Sequence, residues 1–179
     1  MKYIFNKISV PLIILLLLGA CSGIYDEPGD SSNNEISEVQ DITLNDLSDT
    51  DHFREGTLEH IFIGEINRHG DAVGFHYDGF PGKKGHIIPG TKTDADEQGV
   101  YEAKVKVDGI EKVSNGGKSS FFPVKLNPQD VVDVINEAYE NHTHINGNTY
   151  EGLSDSGIVV HMYLDESEHI ISAFPLYGE

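Results

Sequence analysis

The chain has 179 residues, and its formal charge of −18 comes from 30 acidic against 12 basic side chains. Taken over the whole chain, so large an acidic excess argues against a polyanionic partner, and a single cysteine excludes an intrachain disulfide. Once an export signal is set aside, the remaining length suits one small domain rather than two.

Residues 1–20 read as that signal. Lys2 and Lys7 form a basic start, and Val10 to Leu18 is an apolar run broken only by Pro11. It is too short for a typical membrane-spanning helix and is followed by small residues. Leu18-Gly19-Ala20-Cys21 resembles the bacterial lipobox, which implies cleavage before Cys21, its lipidation, and attachment to a lipid bilayer. Residues 21–56 are expected to be an acidic disordered tether. From Ser22 to Gly56 ten acidic residues stand against one basic residue, Arg54, and such a segment buries too little apolar surface to offset its ordering entropy. Within it, Ile42 to Phe53 is a candidate for a helical turn or two packed on the domain.

The domain is taken as residues 57–179. His60 to Ile66 and Ala72 to Tyr77 are predicted strands flanking the turn Asn67-Arg68-His69-Gly70-Asp71. Gly79 to Gly99, rich in Gly, Pro, Lys and Asp, is a predicted long loop. Val100 to Val107 alternates, with Tyr101, Ala103, Val105 and Val107 on one face and Glu102, Lys104 and Lys106 on the other, as a half-buried strand does. Ile110 to Val113 is a short strand after the Asp108-Gly109 turn. Asn127 and Pro128 suit a helix cap and first position, and Val131, Val134, Ile135 and Ala138 supply the apolar stripe. Asn141 to Ser156 is a predicted polar loop, with Ser154-Asp155-Ser156 at its end. Ile158 to Leu164 and His169 to Phe174 make a final hairpin. Strands, one helix, then strands predict an α+β fold with antiparallel β-sheets.

If the first hairpin turns about His69, paired positions sum to roughly 138, and His60 becomes the diagonal neighbour of the residue facing His76, on the same side of the sheet. Diagonal neighbours lie roughly 7–8 Å apart, a spacing at which two imidazoles flank one phosphate. An unperturbed histidine titrates near pH ~6.5, so one ring serves as base while the other serves as acid. The plainer reading, solvated or structural histidines, stands beside this one. An acid–base pair acting on a phosphodiester also needs a cation for the charge that develops on phosphorus. Lys118, between Gly116-Gly117 and Ser119-Ser120, is the first candidate. His142-Thr-His144 has a metal-site spacing but no third ligand nearby, and His161 and His169 are assigned no chemistry. All eight domain lysines lie between Lys83 and Lys125, leaving room for a basic groove of Lys83, Lys84, Lys104, Lys106 and Lys118 in an otherwise acidic chain.

Four ordered blocks carry a family resemblance: Glu59-His60-Ile61-Phe62-Ile63-Gly64-Glu65; Val73-Gly74-Phe75-His76; Lys118-Ser119-Ser120-Phe121-Phe122-Pro123; and Ile170-Ile171-Ser172-Ala173-Phe174-Pro175. Together they resemble the EndoU endoribonucleases over nearly all of Leu58 to Tyr177. The resemblance implies the EndoU, RNase A-like toxin fold. It also implies cleavage of single-stranded RNA, usually beside uridine, by attack of the 2′-hydroxyl on the neighbouring phosphorus to leave a 2′,3′-cyclic phosphate. By position it implies His76 as general base, His60 as general acid and Lys118 on the phosphoryl oxygens, with Lys112 as the alternative lysine. Gly74 and Phe75 are expected to donate backbone N–H groups to the phosphate, and Ser119 or Ser120 to touch the base. Phe174 is expected to stack on the base, without the hydroxyl of the tyrosine that many members carry there. No cofactor is required on this reading, and Mn²⁺ remains an optional ion. A toxin-like surface lipoprotein with an immunity protein as partner is implied; a non-catalytic lipoprotein that holds RNA or a protein ligand is the alternative.

Overall fold

A computed structural model describes residues 42–178. The signal, Cys21 and the tether as far as residue 41 lie outside the described residues.

The apolar alternation of Val100 to Val107 builds the strand that organises the first half. Strand β4, Tyr101–Val107, buries Tyr101, Ala103, Val105 and Val107 and leaves Lys104 and Lys106 in solvent. It pairs antiparallel with β3 (Gly85–Ile87), β5 (Ile110–Glu111) and β6 (Lys118–Phe121). Its buried side packs on Ala72, Phe75 and Phe121. Helix α1, Pro128–Glu140, begins where Asn127 Oδ1 accepts the Asp130 N–H, a reciprocal cap with Pro at the first turn. It buries Val131, Val132, Val134, Ile135 and Ala138, each larger side chain stabilising by roughly 1.5–3 kcal/mol. The helix lies on a second antiparallel sheet of β7 (Thr143–Asn146), β8 (Thr149–Leu153), β9 (Val159–Leu164) and β10 (Ile170–Pro175), in the order β10-β9-β8-β7. Antiparallel sheets with one main helix make an α+β fold.

Four expectations need correcting. His60 to Ile63 is not strand: Glu59–Ile63 is a π-helical turn closed by the Gly64 N–H on the Glu59 carbonyl. The apolar run Ile61-Phe62-Ile63 mimics a buried strand, but Gly64 at φ 80° lets the chain leave the turn. Only β1 (Glu65–Ile66) and β2 (Ala72–Val73) form the hairpin, with Glu65 opposite Val73 and Ile66 opposite Ala72. The expected register therefore holds over two pairs, although Phe62 does not face His76. The polar stretch Asn141 to Ser156 holds the β7–β8 hairpin, whose first strand is exposed throughout and so shows no alternation. The long loop Gly79 to Gly99 contains β3.

The boundary at 56/57 also moves. Leu47 and Phe53 are buried, and Ile42 and Leu44 pack on the main core. Phe53 bridges Ile170 in parallel, Arg54 N–H donates to the Ile170 carbonyl at 2.9 Å, and Ile170 N–H donates to the His52 carbonyl at 2.7 Å. Residues 42–56 thus belong to the packed unit.

Candidate active site

His60 sits on the π-helical turn, a local form that recurs at functional sites. His76 reaches it through two left-handed residues, Gly74 at φ 72° and Phe75 at φ 63°. That turn lays the following backbone on the helix: Phe75 N–H donates to the His60 carbonyl at 2.8 Å and His76 N–H to the Ile61 carbonyl at 2.7 Å. A Cβ at Gly74 would stand 2.1 Å from the His60 carbonyl oxygen, so only glycine allows the approach. Phe75 carries the strain because its ring is fully buried, edge-on to Phe121. On the other side, the His76 carbonyl accepts the Phe122 N–H at 2.9 Å, fixing it to the end of β6.

The two imidazole centroids are 6.1 Å apart, tilted by 36°. Their second partners differ. His60 Nδ1 meets Glu65 Oε1 at 2.9 Å and its Nε2 meets Ser172 Oγ at 3.2 Å. His76 Nδ1 meets the Ser120 carbonyl at 2.9 Å. A carbonyl only accepts, so the neutral His76 ring carries its proton on Nδ1 and offers a lone pair at Nε2. Burial lowers the pKa of both rings. For His60 the Glu65 carboxylate opposes that fall, whereas for His76 the Lys112 and His60 charges deepen it to well below the ordinary value.

Lys112 is the ammonium nearest this pair in effect. It is only 7 % exposed, its Nζ donates to Ser119 Oγ at 2.9 Å, and Ser119 Oγ donates to the Gly74 carbonyl at 3.0 Å. Burial lowers its pKa to about 8. Its charge depresses both histidines. Lys118, the first candidate from the sequence, lies on the opposite face of β6. It is solvated and its Nζ pairs with Glu102 Oε2 at 2.7 Å. The turn between them has Asn115, Gly116 and Gly117 all at positive φ, and it leaves Lys112 buried and Lys118 exposed.

A cleft of about 220 Å³ opens beside His76, lined among others by Ser119, Ser120, Phe174 and Tyr177, with Glu102 and Lys118 at the same opening. A larger hollow of about 540 Å³ touches the site only through Glu65 and contains neither imidazole. Ser120 contributes its carbonyl to His76 and its side chain to the cleft, whereas the Ser119 hydroxyl is taken up by Lys112 and Gly74. The Phe75 amide is committed to His60 and is not available to a phosphate. Phe174 stands between two rings, His76 at 5.1 Å and 21° and His161, its partner across β9–β10, at 5.0 Å and 25°. Both rings stack on it, and it also lines the cleft beside His76. His161 in turn is held by Glu151 Oε1 at 3.0 Å.

Sequence reasoning missed Glu65, Ser172 and His161 as neighbours of the site, although Glu65 and Ser172 lie inside two of the four family blocks. Among the described residues no three His, Cys, Asp or Glu side chains gather as a metal site. His142 and His144 instead bond to the Tyr139 and Gly147 carbonyls.

Two imidazoles of unlike basicity beside a desolvated ammonium make a general acid–base site of the kind that suits phosphodiester chemistry. The chain belongs to the bacterial EndoU nuclease family, whose model matches residues 54–177. It is also 46% identical over 144 residues to a Bacillus cereus protein named "Toxin", an alignment covering 80% of this chain and 25% of that protein. The chain thus spans about a quarter of the length of this curated relative. No solved structure matches it.

Proposed function

We propose that the domain is an endoribonuclease that cuts single-stranded RNA, beside uridine, by transesterification. His76 Nε2 takes the proton of the ribose 2′-hydroxyl, and the 2′-oxygen forms a bond to the adjacent phosphorus. The bond from phosphorus to the 5′-oxygen breaks as protonated His60 gives that oxygen its proton from Nε2. The products are a 2′,3′-cyclic phosphate and a 5′-hydroxyl. Lys112 stabilises the charge that builds on the phosphoryl oxygens. Two of its three donors go to Ser119 Oγ, at 2.9 Å, and the Gly74 carbonyl, at 3.5 Å, which leaves one N–H for substrate.

The observation that carries this reading is the 6.1 Å imidazole pair with unlike partners, a carboxylate on His60 and a carbonyl on His76. Burial lowers both basicities, but Glu65 opposes the fall at His60 while the Lys112 and His60 charges deepen it at His76, so one ring is an acid at a pH where the other is a base. The test incubates the full chain with an oligoribonucleotide containing one uridine, in EDTA. A 2′,3′-cyclic phosphate end is expected, and a single 2′-deoxy substitution at the cut site should abolish it. Binding without any cut would favour instead the non-catalytic lipoprotein.

The resemblance to the Bacillus cereus protein named "Toxin" supports a toxin-like role, with an immunity protein as a matching partner. Leu18-Gly19-Ala20-Cys21 supports a form anchored to the membrane through lipidated Cys21. Mn²⁺ would act as an accessory ion, read from activity with and without EDTA.

A further inference from the structure

The outward face of the β3–β4–β6 sheet has no role in the acid–base scheme. On β4 the exposed positions are Lys104 and Lys106, with half-buried Glu102 at the end nearest the cleft. Lys104 stands directly opposite Lys118 on β6, and Lys106 directly opposite His86 on β3. Glu102 is consumed by Lys118, while Lys104 and Lys106 enter no ion pair among the described residues. Glu111 faces Lys106 across β5 without pairing with it at salt-bridge distance. Lys118, directly opposite Lys104, is already neutralised by Glu102, so Lys104 and Lys106 are the ammonium groups of this strip with no ion-pair partner among the described residues. In a chain of charge −18 this strip is a local exception, and it begins at the cleft that His76 and Ser120 line.

We infer that this face is a track for single-stranded RNA, in which Lys104 and Lys106 hold phosphates of nucleotides beyond the cut site; the inference rests on the endoribonuclease reading. The strand rise places Lys104 and Lys106 about 7 Å apart along β4, so successive phosphates of an extended strand meet successive ammonium groups. Electrostatic contacts of this type carry no sequence information and weaken with salt. Lys83 and Lys84 are not part of the track: Lys83 pairs with Asp78 at 3.2 Å, and Lys84 lines the separate hollow beside Ile42.

The experiment compares the full chain with its Lys104→Gln/Lys106→Gln and Lys83→Gln/Lys84→Gln variants on two substrates. One is a uridine-containing dinucleoside monophosphate, and the other a dodecamer with a single uridine. For Lys104→Gln/Lys106→Gln the dodecamer KM should rise about tenfold with kcat little changed, and the salt slope of log(kcat/KM) should fall by roughly 1.4, from about 0.7 per phosphate. The dinucleoside, too short to reach the track, should be cut with kcat/KM within about twofold of the unaltered chain. Lys83→Gln/Lys84→Gln should leave both substrates unaffected. Equal loss in the two double variants would replace the track by a diffuse field, and no loss on the dodecamer would assign the face to something other than RNA; either result overturns the inference while the nuclease reading stands. Failure of the unaltered chain to cut either substrate would instead remove the nuclease reading itself.

Discussion

The two sides of β6 carry the same chemical group in opposite conditions. On the inner side Lys112 is buried against Ser119 and Gly74, with its pKa lowered to about 8. On the outer side Lys118 is exposed and neutralised by Glu102. A desolvated ammonium with a donor to spare interacts strongly with new charge nearby, because the site around it is dry. A solvated ammonium already paired to a carboxylate adds little. Identity of the side chain therefore says less than the side of the sheet it occupies.

The largest effect should come from the groups that the inner side serves. His76→Ala and His60→Ala are each expected to lower kcat by about 10²–10⁴, measured on the uridine oligonucleotide. Next, Lys112→Met should lower kcat/KM by about 10²–10³ yet raise stability by on the order of 2 kcal/mol, because a buried charge is removed. The sign is set by linkage. Its folded pKa of about 8 lies below the ordinary lysine value, so the unfolded chain holds the proton more tightly and the cost of burial is complete below pH 8. The stability gain of Lys112→Met should accordingly shrink as denaturation is repeated from pH 8 towards pH 10.

A third measurement is the pH profile. With His60 as the proposed acid, which acts protonated and whose pKa is lowered by burial, kcat/KM should peak on the acid side of the usual histidine value and fall about tenfold per pH unit above its limb. The limbs belong to the coupled pair rather than to one ring. An optimum above pH 8 would contradict these assignments. The same burial acts on stability: the unfolded chain protonates His76 more readily, so native stability should decline as pH drops from about 6.5 towards the lowered folded value. The smallest effect should be that of Lys118→Met, under about threefold in kcat/KM and within about 0.5 kcal/mol in stability. A reversal of the two lysine results would make the outer ammonium the one that acts.

Much of the scaffold was legible because its signals are local. The cap at Asn127-Pro128 starts α1, the alternation of Val100 to Val107 is β4, and the turn about His69 sets Glu65 opposite Val73. The β7–β8 hairpin was not legible by alternation, since every residue of β7 is exposed, although Asn146-Gly147-Asn148 is a hairpin turn by composition. The helical turn under His60 was hidden for the opposite reason. Ile61 and Phe62 are fully buried and Ile63 is partly so, and a run buried at successive positions has no period to read.

By itself the sequence determined the residue types and their order: two histidines, a Gly-Phe pair before the second, several lysines in one stretch, and a capped helix. These are matters of local conformation and composition. Tertiary structure decided which imidazole keeps a carboxylate, which lysine loses its water, and that Phe174 lies between two rings. Burial is set by elements far apart in the chain closing over the same atoms, and no local pattern records what will lie on top.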